Sequence, residues 1–240
     1  MAVSNRLASW IDRLRPRRPF KKRYDAINHF VRALRARRYL EIGVATGRTF
    51  ERVRCAEKVG VDPRPKRVEP GWTIHRVTSD DFFAGSPGRF DLVFIDGLHL
   101  AEQVLRDIAN SLACLNPGGA ILLHDCNPPT EVAGSRDASL ADEGVKWNGD
   151  VWRAIAYVRK FQPGLFCRVL DFNEGIGVIL LRDPGAIPNL GPSVLAEAQK
   201  HLDGLTWKDL EADRKGLLGL IPNRAELEEE LRREGIALRV

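Results

Sequence analysis

Long apolar runs are missing from this 240-residue sequence. None approaches the ~18 residues that cross a bilayer, so no transmembrane span is expected. Residues Met1 to Ile11 lack the apolar stretch and small-residue cleavage site of a secretory signal, which makes the cytoplasm the expected location. Cysteine is scarce: Cys55, Cys114, Cys126 and Cys167 lie far apart and form no C-x-x-C pair. That points to neither a zinc knuckle nor a disulfide framework and favours reduced thiols. Internal repeats and long low-complexity tracts are also lacking, which removes solenoids and arrays. The remaining balance, 44% hydrophobic and 29% charged, is that of a globular domain with one sizeable α/β core and terminal appendages.

Acidic residues are nearly absent from one end. Residues 1–40 hold 12 of the 37 Lys and Arg but only Asp12 and Asp25 of the 32 acids, so this stretch stands at +10 and the rest at −5. An arm from Arg13 to Arg38, with Trp10, Phe20, Tyr24 and Phe30 interleaved, has the chemistry to meet phosphate, anionic lipid or an acidic substrate. The preferred reading is a solvated helical face whose aromatics pack on the core, with peripheral membrane contact left open.

Pro16 and Pro19 break the opening segment, after which Tyr24, Ile27, Phe30, Val31 and Leu34 recur at helical spacing and predict a helix over roughly 21–37. Strand-like runs then alternate with helical patterns: YLEIGV (39–44), a helix near 48–57, KVGVD (58–62), WTIHRV (72–77), FDLVFID (90–96), a helix near 100–114, and AILLHD (120–125). Such alternation marks a parallel, doubly wound sheet. After a Gly/Pro/Asp-rich stretch (127–150) and a helix (151–161), LFCRVLDF (165–172) and GIGVILLR (175–182) are separated only by Asn173 and Glu174. A two-residue link demands an antiparallel hairpin. The expected fold is therefore a Rossmann-like, doubly wound, seven-stranded sheet, mostly parallel, with one reversed strand in a C-terminal hairpin. Its divisions are a basic helical extension (1–38), a cofactor-binding domain (39–182) and a helical tail (183–240).

The first strand runs through Glu41 into Gly43, Ala45 and Gly47 before a helix begins. Glycines there let the backbone turn sharply and approach a ligand, while helix N-terminal amides face it. The second strand ends at Asp62, twenty-one residues after Glu41, where a carboxylate can accept both hydroxyls of a ribose. This spacing serves NAD and S-adenosylmethionine alike. The turn leans to the second, because Ala45 replaces the middle glycine of a dinucleotide fingerprint. Glu41 would also repel a pyrophosphate but attract the ammonium of a methionine moiety.

The series E-I-G-V-A-T-G, V-G-V-D-P, F-D-L-V-F-I-D-G and N-P-G-G-A-I-L-L-H-D resembles the successive motifs of class I S-adenosylmethionine-dependent methyltransferases, over about residues 39–182. The resemblance implies that the glycine loop holds the methionine part, Asp62 the ribose, and Ser79 and Asp80 the adenine edge, with Asp96 bordering the same pocket.

Asp96 ends the fourth strand, His99 follows three residues later, and His124 with Asp125 ends the fifth. Neighbouring strand ends of a parallel sheet can gather all four around one pocket. Singly, each has a plainer reading as a helix cap or packing group; their coincidence favours function. Asp96 and Asp125 suit Mg²⁺ or Mn²⁺, which would lower the pKa of an acceptor hydroxyl. The pairing resembles divalent-metal-dependent O-methyltransferases of sugars and natural products, which implies Asp96 and Asp125 as metal ligands and His99 as general base. His124 stands where those relatives often have a second acid; it would favour a softer ion such as Mn²⁺ as a third ligand, or act as the base itself. W-N-G-D-V-W (147–152) resembles bacterial relatives associated with glycoconjugate assembly, making Asp150 a candidate contact to acceptor hydroxyls and Trp147 a candidate stacking platform, on a loop long enough to form a lid.

Methyl transfer from S-adenosylmethionine to a small hydroxylated acceptor is the expected activity, with a sugar, glycoconjugate precursor or natural product preferred. A nucleic-acid methyltransferase is the weaker alternative: its Asn-Pro-Pro-aromatic motif should follow the fourth strand, but N-P-P-T (127–130) follows the fifth and ends in Thr130. A non-catalytic scaffold retaining the cofactor fold is another. The oligomeric state stays open, a homo-oligomer included.

Overall fold

The computed structural model describes residues 19–144, 146–186 and 190–236. Residues 1–18, with Trp10, Pro16 and much of the basic arm, lie outside the described residues. Helix α1 (Arg23–Leu34) follows. Its start is set by Asp25, whose carboxylate accepts the Lys21 and Lys22 amides at 3.0 and 2.9 Å, satisfying donors that a helix N-terminus leaves unpaired. Arg35, with φ 53°, ends it in the left-handed conformation. Ala26, Ile27, Phe30 and Val31 are buried on its inner face, so the aromatic Phe30 packs on the core. Truncating so deeply buried a phenylalanine costs about 3–5 kcal/mol.

The strands are β1 (Arg38–Ile42), β2 (Glu57–Val61), β3 (Thr73–His75), β4 (Phe90–Ile95), β5 (Leu115–Leu123), β6 (Leu165–Leu170), β7 (Ile176–Leu181) and β8 (Leu220–Ile221). They form one sheet in the order β3-β2-β1-β4-β5-β7-β6-β8. Pairings from β3 through β5 are parallel, and β7 runs antiparallel to both β5 and β6. The hairpin turns at Phe172–Gly175, closed by Gly175 N–H to Phe172 O at 3.0 Å. Asn173 and Glu174 have φ 49° and 59°, the left-handed pair that a type I′ turn needs.

Eight strands stand where seven were expected. The eighth comes from the C-terminal segment: Leu220 and Ile221 pair in parallel with Val169 and Leu170. Two residues are too few to display an alternating pattern, and only tertiary docking makes them a strand. The helix expected near 48–57 is also shorter, α2 (Arg48–Arg52). Arg38 pairs with Glu57, so the chain must become extended well before the predicted helix end, and Val53 already has φ −72°, ψ 128°.

Alternation within the central strands builds two cores. Leu40, Ile42, Val93, Ile95, Ile121 and Leu123 face the layer holding α4 (Ala101–Ala113) and α5 (Val151–Phe161). Tyr39, Leu92, Phe94, Ala120 and Leu122 face α1. Strands covered on both faces read as continuous apolar runs. The C-terminal segment adds α6 (Pro192–Gly204), α7 (Trp207–Ala212), α8 (Arg214–Leu218) and α9 (Arg224–Arg233); Leu202 and Leu210 enter the first core, Leu227 and Leu231 the second. No described helix is long and apolar enough to cross a membrane. Between α2 and α4 a short helix, α3 (Ser79–Ala84), follows β3.

Candidate functional site

The strand order reverses between β1 and β4, and in open α/β sheets a crevice forms at the carboxyl ends beside that point. The turn leaving β1 there carries three positive φ angles: 87° at Gly43, 45° at Ala45 and 72° at Gly47. At Gly43 a side chain is excluded outright, since a Cβ would lie 1.9 Å from the Asp96 carbonyl oxygen. The Ala45 amide donates to Asp62 Oδ2 at 2.7 Å, and the Arg64 amide to Asp62 Oδ1 at 2.8 Å. Asp62 is thus locked against the loop while staying partly exposed. One strand further, Gln103 Nε2 donates to Ser79 Oγ and Asp80 Oδ1, both at 3.2 Å. A glycine turn, a strand-end carboxylate and polar groups at the next strand end form a donor set that fits an adenosine-type cofactor.

Glu41 is more deeply placed than the sequence indicated. It is 1% exposed and accepts a 2.6 Å hydrogen bond from the Tyr39 hydroxyl. Burial pushes its carboxyl up to about 8, against the partial relief given by Tyr39.

The other four predicted residues meet on the β4–β5 side. His99 Nε2 lies 3.4 Å from both Asp96 Oδ1 and Asp125 Oδ2, and His124 Nδ1 lies 3.2 and 3.0 Å from the same two oxygens. Asp125 adopts φ 59°, a conformation a non-glycine residue takes at a cost of order 1–3 kcal/mol and which concentrates at functional sites. Burial opposes the charge on His124, but Asp96 and Asp125 outweigh it and push the imidazole up to about 9. The same balance raises His99. Burial likewise works against the Asp96 carboxylate, yet His124, His99 and Arg23 hold it well below the usual range. The ring of Trp147 stacks on His99 with centroids 5.3 Å apart, and its Nε1 donates to Ser135 O at 2.8 Å.

Asp150 is not among them. It is 1% exposed; its Oδ1 accepts the Ala101 amide at 2.8 Å, and its Oδ2 accepts Arg136 Nη1 at 2.8 Å. The carboxylate pins the 127–150 segment to the start of α4. Arg136 extends the tie to Glu102 at 2.7 Å. Asn127, from the N-P-P-T stretch, is engaged too, receiving Arg214 Nη1 at 2.7 Å and donating to Asp171 at 2.9 Å.

Sequence reasoning missed three residues that complete the cluster. Asn148 Nδ2 donates to Asp125 Oδ1. Glu174 Oε2, on the hairpin turn, lies 3.8 Å from His124 Nε2. Arg23 Nη1 lies 3.3 Å from Asp96 Oδ2 and 3.0 Å from His124 Nδ1. Asn148 is the second residue of W-N-G-D (147–150), so the motif itself pointed to it; nothing in the pattern around Arg23, one of many arginines, distinguished it.

Asp96, His124 and Asp125 each present one ligand atom, all within 4.8 Å of one another. Two carboxylates and an imidazole are an acceptable donor set for a divalent transition ion. The donor types suit such an ion, but Arg23 Nη1, 3.0 Å from His124 Nδ1 and 3.3 Å from Asp96 Oδ2, already sets a positive charge against them.

A family model described as a methyltransferase domain matches residues 40–126, from β1 to just past β5. No curated protein matches the sequence. Among solved structures the chain resembles cofactor-bound Rv0187 from MTB, at 20% identity and TM-score 0.53, over 76% of this chain and 90% of that one. It is similar to the SAH-bound methyltransferase PaMTH1 of Podospora anserina, at 15% identity and TM-score 0.53, covering 76% and 96%. A Staphylococcus aureus protein assigned as a caffeoyl-CoA O-methyltransferase superposes at 16% identity and TM-score 0.52, covering 68% and 85%. At these identities the structural likenesses establish the shared fold.

Proposed function

We propose, from the premise that residues 40–126 form a methyltransferase domain, that the protein transfers a methyl group from S-adenosylmethionine to a hydroxyl oxygen. The acceptor is a small molecule such as a sugar, a glycoconjugate precursor or a natural product. The observation carrying this reading is the meeting of Asp96, His99, His124 and Asp125 beside the glycine turn and Asp62. The description of one structural neighbour as an O-methyltransferase and the SAH bound to another support it.

In this reading Asp62 would accept the ribose hydroxyls, Ser79 and Asp80 would border the adenine, and the Gly43–Gly47 turn with Glu41 beneath the surface of β1 would hold the methionine part. The cofactor supplies a sulfonium methyl open to in-line attack. His99 takes the proton from the acceptor hydroxyl as the oxygen–methyl bond forms, and Asp96 and Asp125 stabilise the imidazolium that results. With the methyl group passed to the acceptor oxygen and the carbon–sulfur electron pair left on sulfur, His99 would hold the proton that the hydroxyl gave up. Trp147, stacked on His99, fixes the ring plane.

Methyl-labelled cofactor, incubated with the protein and a panel of hydroxylated sugars and metabolites, should mark one acceptor class with a single methyl group. Asp96→Ala should abolish transfer while S-adenosylhomocysteine still binds calorimetrically. Wild-type protein that binds neither form of the cofactor would sink the methyltransferase reading. Unchanged turnover in Asp96→Ala would remove the cluster from the reaction.

A further inference from the structure

The Asp96–His124–Asp125 cluster already receives a cation from the chain itself. Arg23 opens α1, far from the cluster in sequence, and is held on three sides. Its backbone N–H donates to Asn173 Oδ1 at 3.0 Å, at the tip of the β6–β7 hairpin. Its Nε donates to Thr49 Oγ1 at 2.8 Å, in α2. Its Nη1 then lies 3.3 Å from Asp96 Oδ2, 3.0 Å from His124 Nδ1 and 3.3 Å from His124 Nε2. This side chain is 31% exposed, so solvent screens its guanidinium only in part.

Resting on the reading of this cluster as the reaction site, we propose that Arg23 is its resident cation, and that Arg23 and a divalent metal ion exclude one another there. An ion bonded to His124 Nδ1 at the usual ~2.1 Å would lie within about 5 Å of Arg23 Nη1, a separation at which like charges repel strongly in a partly buried site. The ion would also compete for atoms already committed: Asp96 Oδ2 faces Arg23, and Asp125 Oδ1 accepts from Asn148. With its backbone N–H fixed by Asn173 and its Nε tethered by Thr49, Arg23 sets its guanidinium against Asp96 Oδ2 and leaves Asp96 Oδ1 facing both histidines. Arg23 is therefore a positioning residue, and methyl transfer runs without added metal.

Calorimetric titration of the full chain with MnCl₂ alone tests this. Arg23→Met should bind Mn²⁺ at least tenfold more tightly than the wild type, whereas Arg23→Lys, which keeps a positive charge, should stay within threefold of it. Wild-type affinity equal to or above that of Arg23→Met would overturn the proposal, as would tight Mn²⁺ binding by Arg23→Lys. Circular dichroism establishes that each variant folds. Should Arg23→Met fail to, Thr49→Val removes only the Nε tether, and Mn²⁺ affinity should rise in it; no rise would overturn the proposal. Titrating the same samples with S-adenosylhomocysteine separates the two ideas. Loss of cofactor binding in every sample, the wild type included, refutes the methyltransferase reading, while the Mn²⁺ series judges Arg23.

Discussion

Replacing Glu41 by Gln should change how the stability of the protein depends on pH. Glu41 is fully enclosed, with the Tyr39 hydroxyl at 2.6 Å, and its carboxyl rises from an ordinary 4.5 to about 8. The folded state therefore binds a proton that the unfolded chain has released throughout the interval from 4.5 to about 8. Stability falls as pH rises wherever the folded state binds more protons. The Glu41 contribution is thus without penalty below about pH 4.5, declines through neutral pH, and levels off above about pH 8. At 1.36 kcal/mol per pKa unit the full penalty is on the order of 5 kcal/mol. Gln keeps an oxygen for the Tyr39 proton and carries no charge. Glu41→Gln should match the wild type near pH 5 and become progressively more stable by pH 8.5, by several kcal/mol. Urea unfolding of both proteins at a series of pH values reads this difference directly, because all other titrating groups are common to the pair. A stability difference that stays constant from pH 5 to 8.5 would refute the argument.

Two glycines with nearly equal positive φ separate crowding from backbone strain. Gly43→Ala forces a Cβ to 1.9 Å from the Asp96 carbonyl oxygen and should cost more than about 3 kcal/mol in urea unfolding. Gly71→Ala, with φ 85° but nothing within 4 Å, should cost only the left-handed strain of about 1–2 kcal/mol. Asp150→Ala removes the acceptor for the Ala101 amide and the partner of Arg136 and Arg153. It should destabilise by about 2–4 kcal/mol, or roughly 5–15 °C in Tm for a chain of this size. A normal Tm combined with a raised acceptor KM would instead return Asp150 to the acceptor site.

Much of the fold was written in local pattern. The β7 reversal could be read from Asn173 and Glu174 alone, because so short a link leaves the chain no other way to turn. The central strands were legible because both faces are buried and apolar runs result. β8 was not, since Leu220 and Ile221 hold strand geometry only through Val169 and Leu170. The end of α2 was obscured for a similar reason: the register of Arg38 against Glu57 overrides a helical pattern that would have continued. In the site, Asp96, His99, His124 and Asp125 were found together because the ends of adjacent parallel strands must lie together. Asp150 was drawn in by its motif and proves to hold the start of α4, since hydrogen-bond partners depend on where a loop returns.

The sequence by itself determined the order of the strands from β1 to β7, the glycine turn with its carboxylate at Asp62, and the pairs of acid and histidine at two strand ends. These depend on neighbours within a few residues, or on a sheet topology that short connections dictate. Only the tertiary structure decided which charges meet. Arg23 reaches Asp96 and His124 across 73 and 101 positions of chain, by way of helix α1 docked on the sheet face of Tyr39 and Phe94. Glu41 loses its charge at neutral pH through enclosure that no residue beside it in the sequence could signal. Periodicity reports which face of an element is buried, whereas electrostatics depends on distances between elements, and these exist only once the chain has packed.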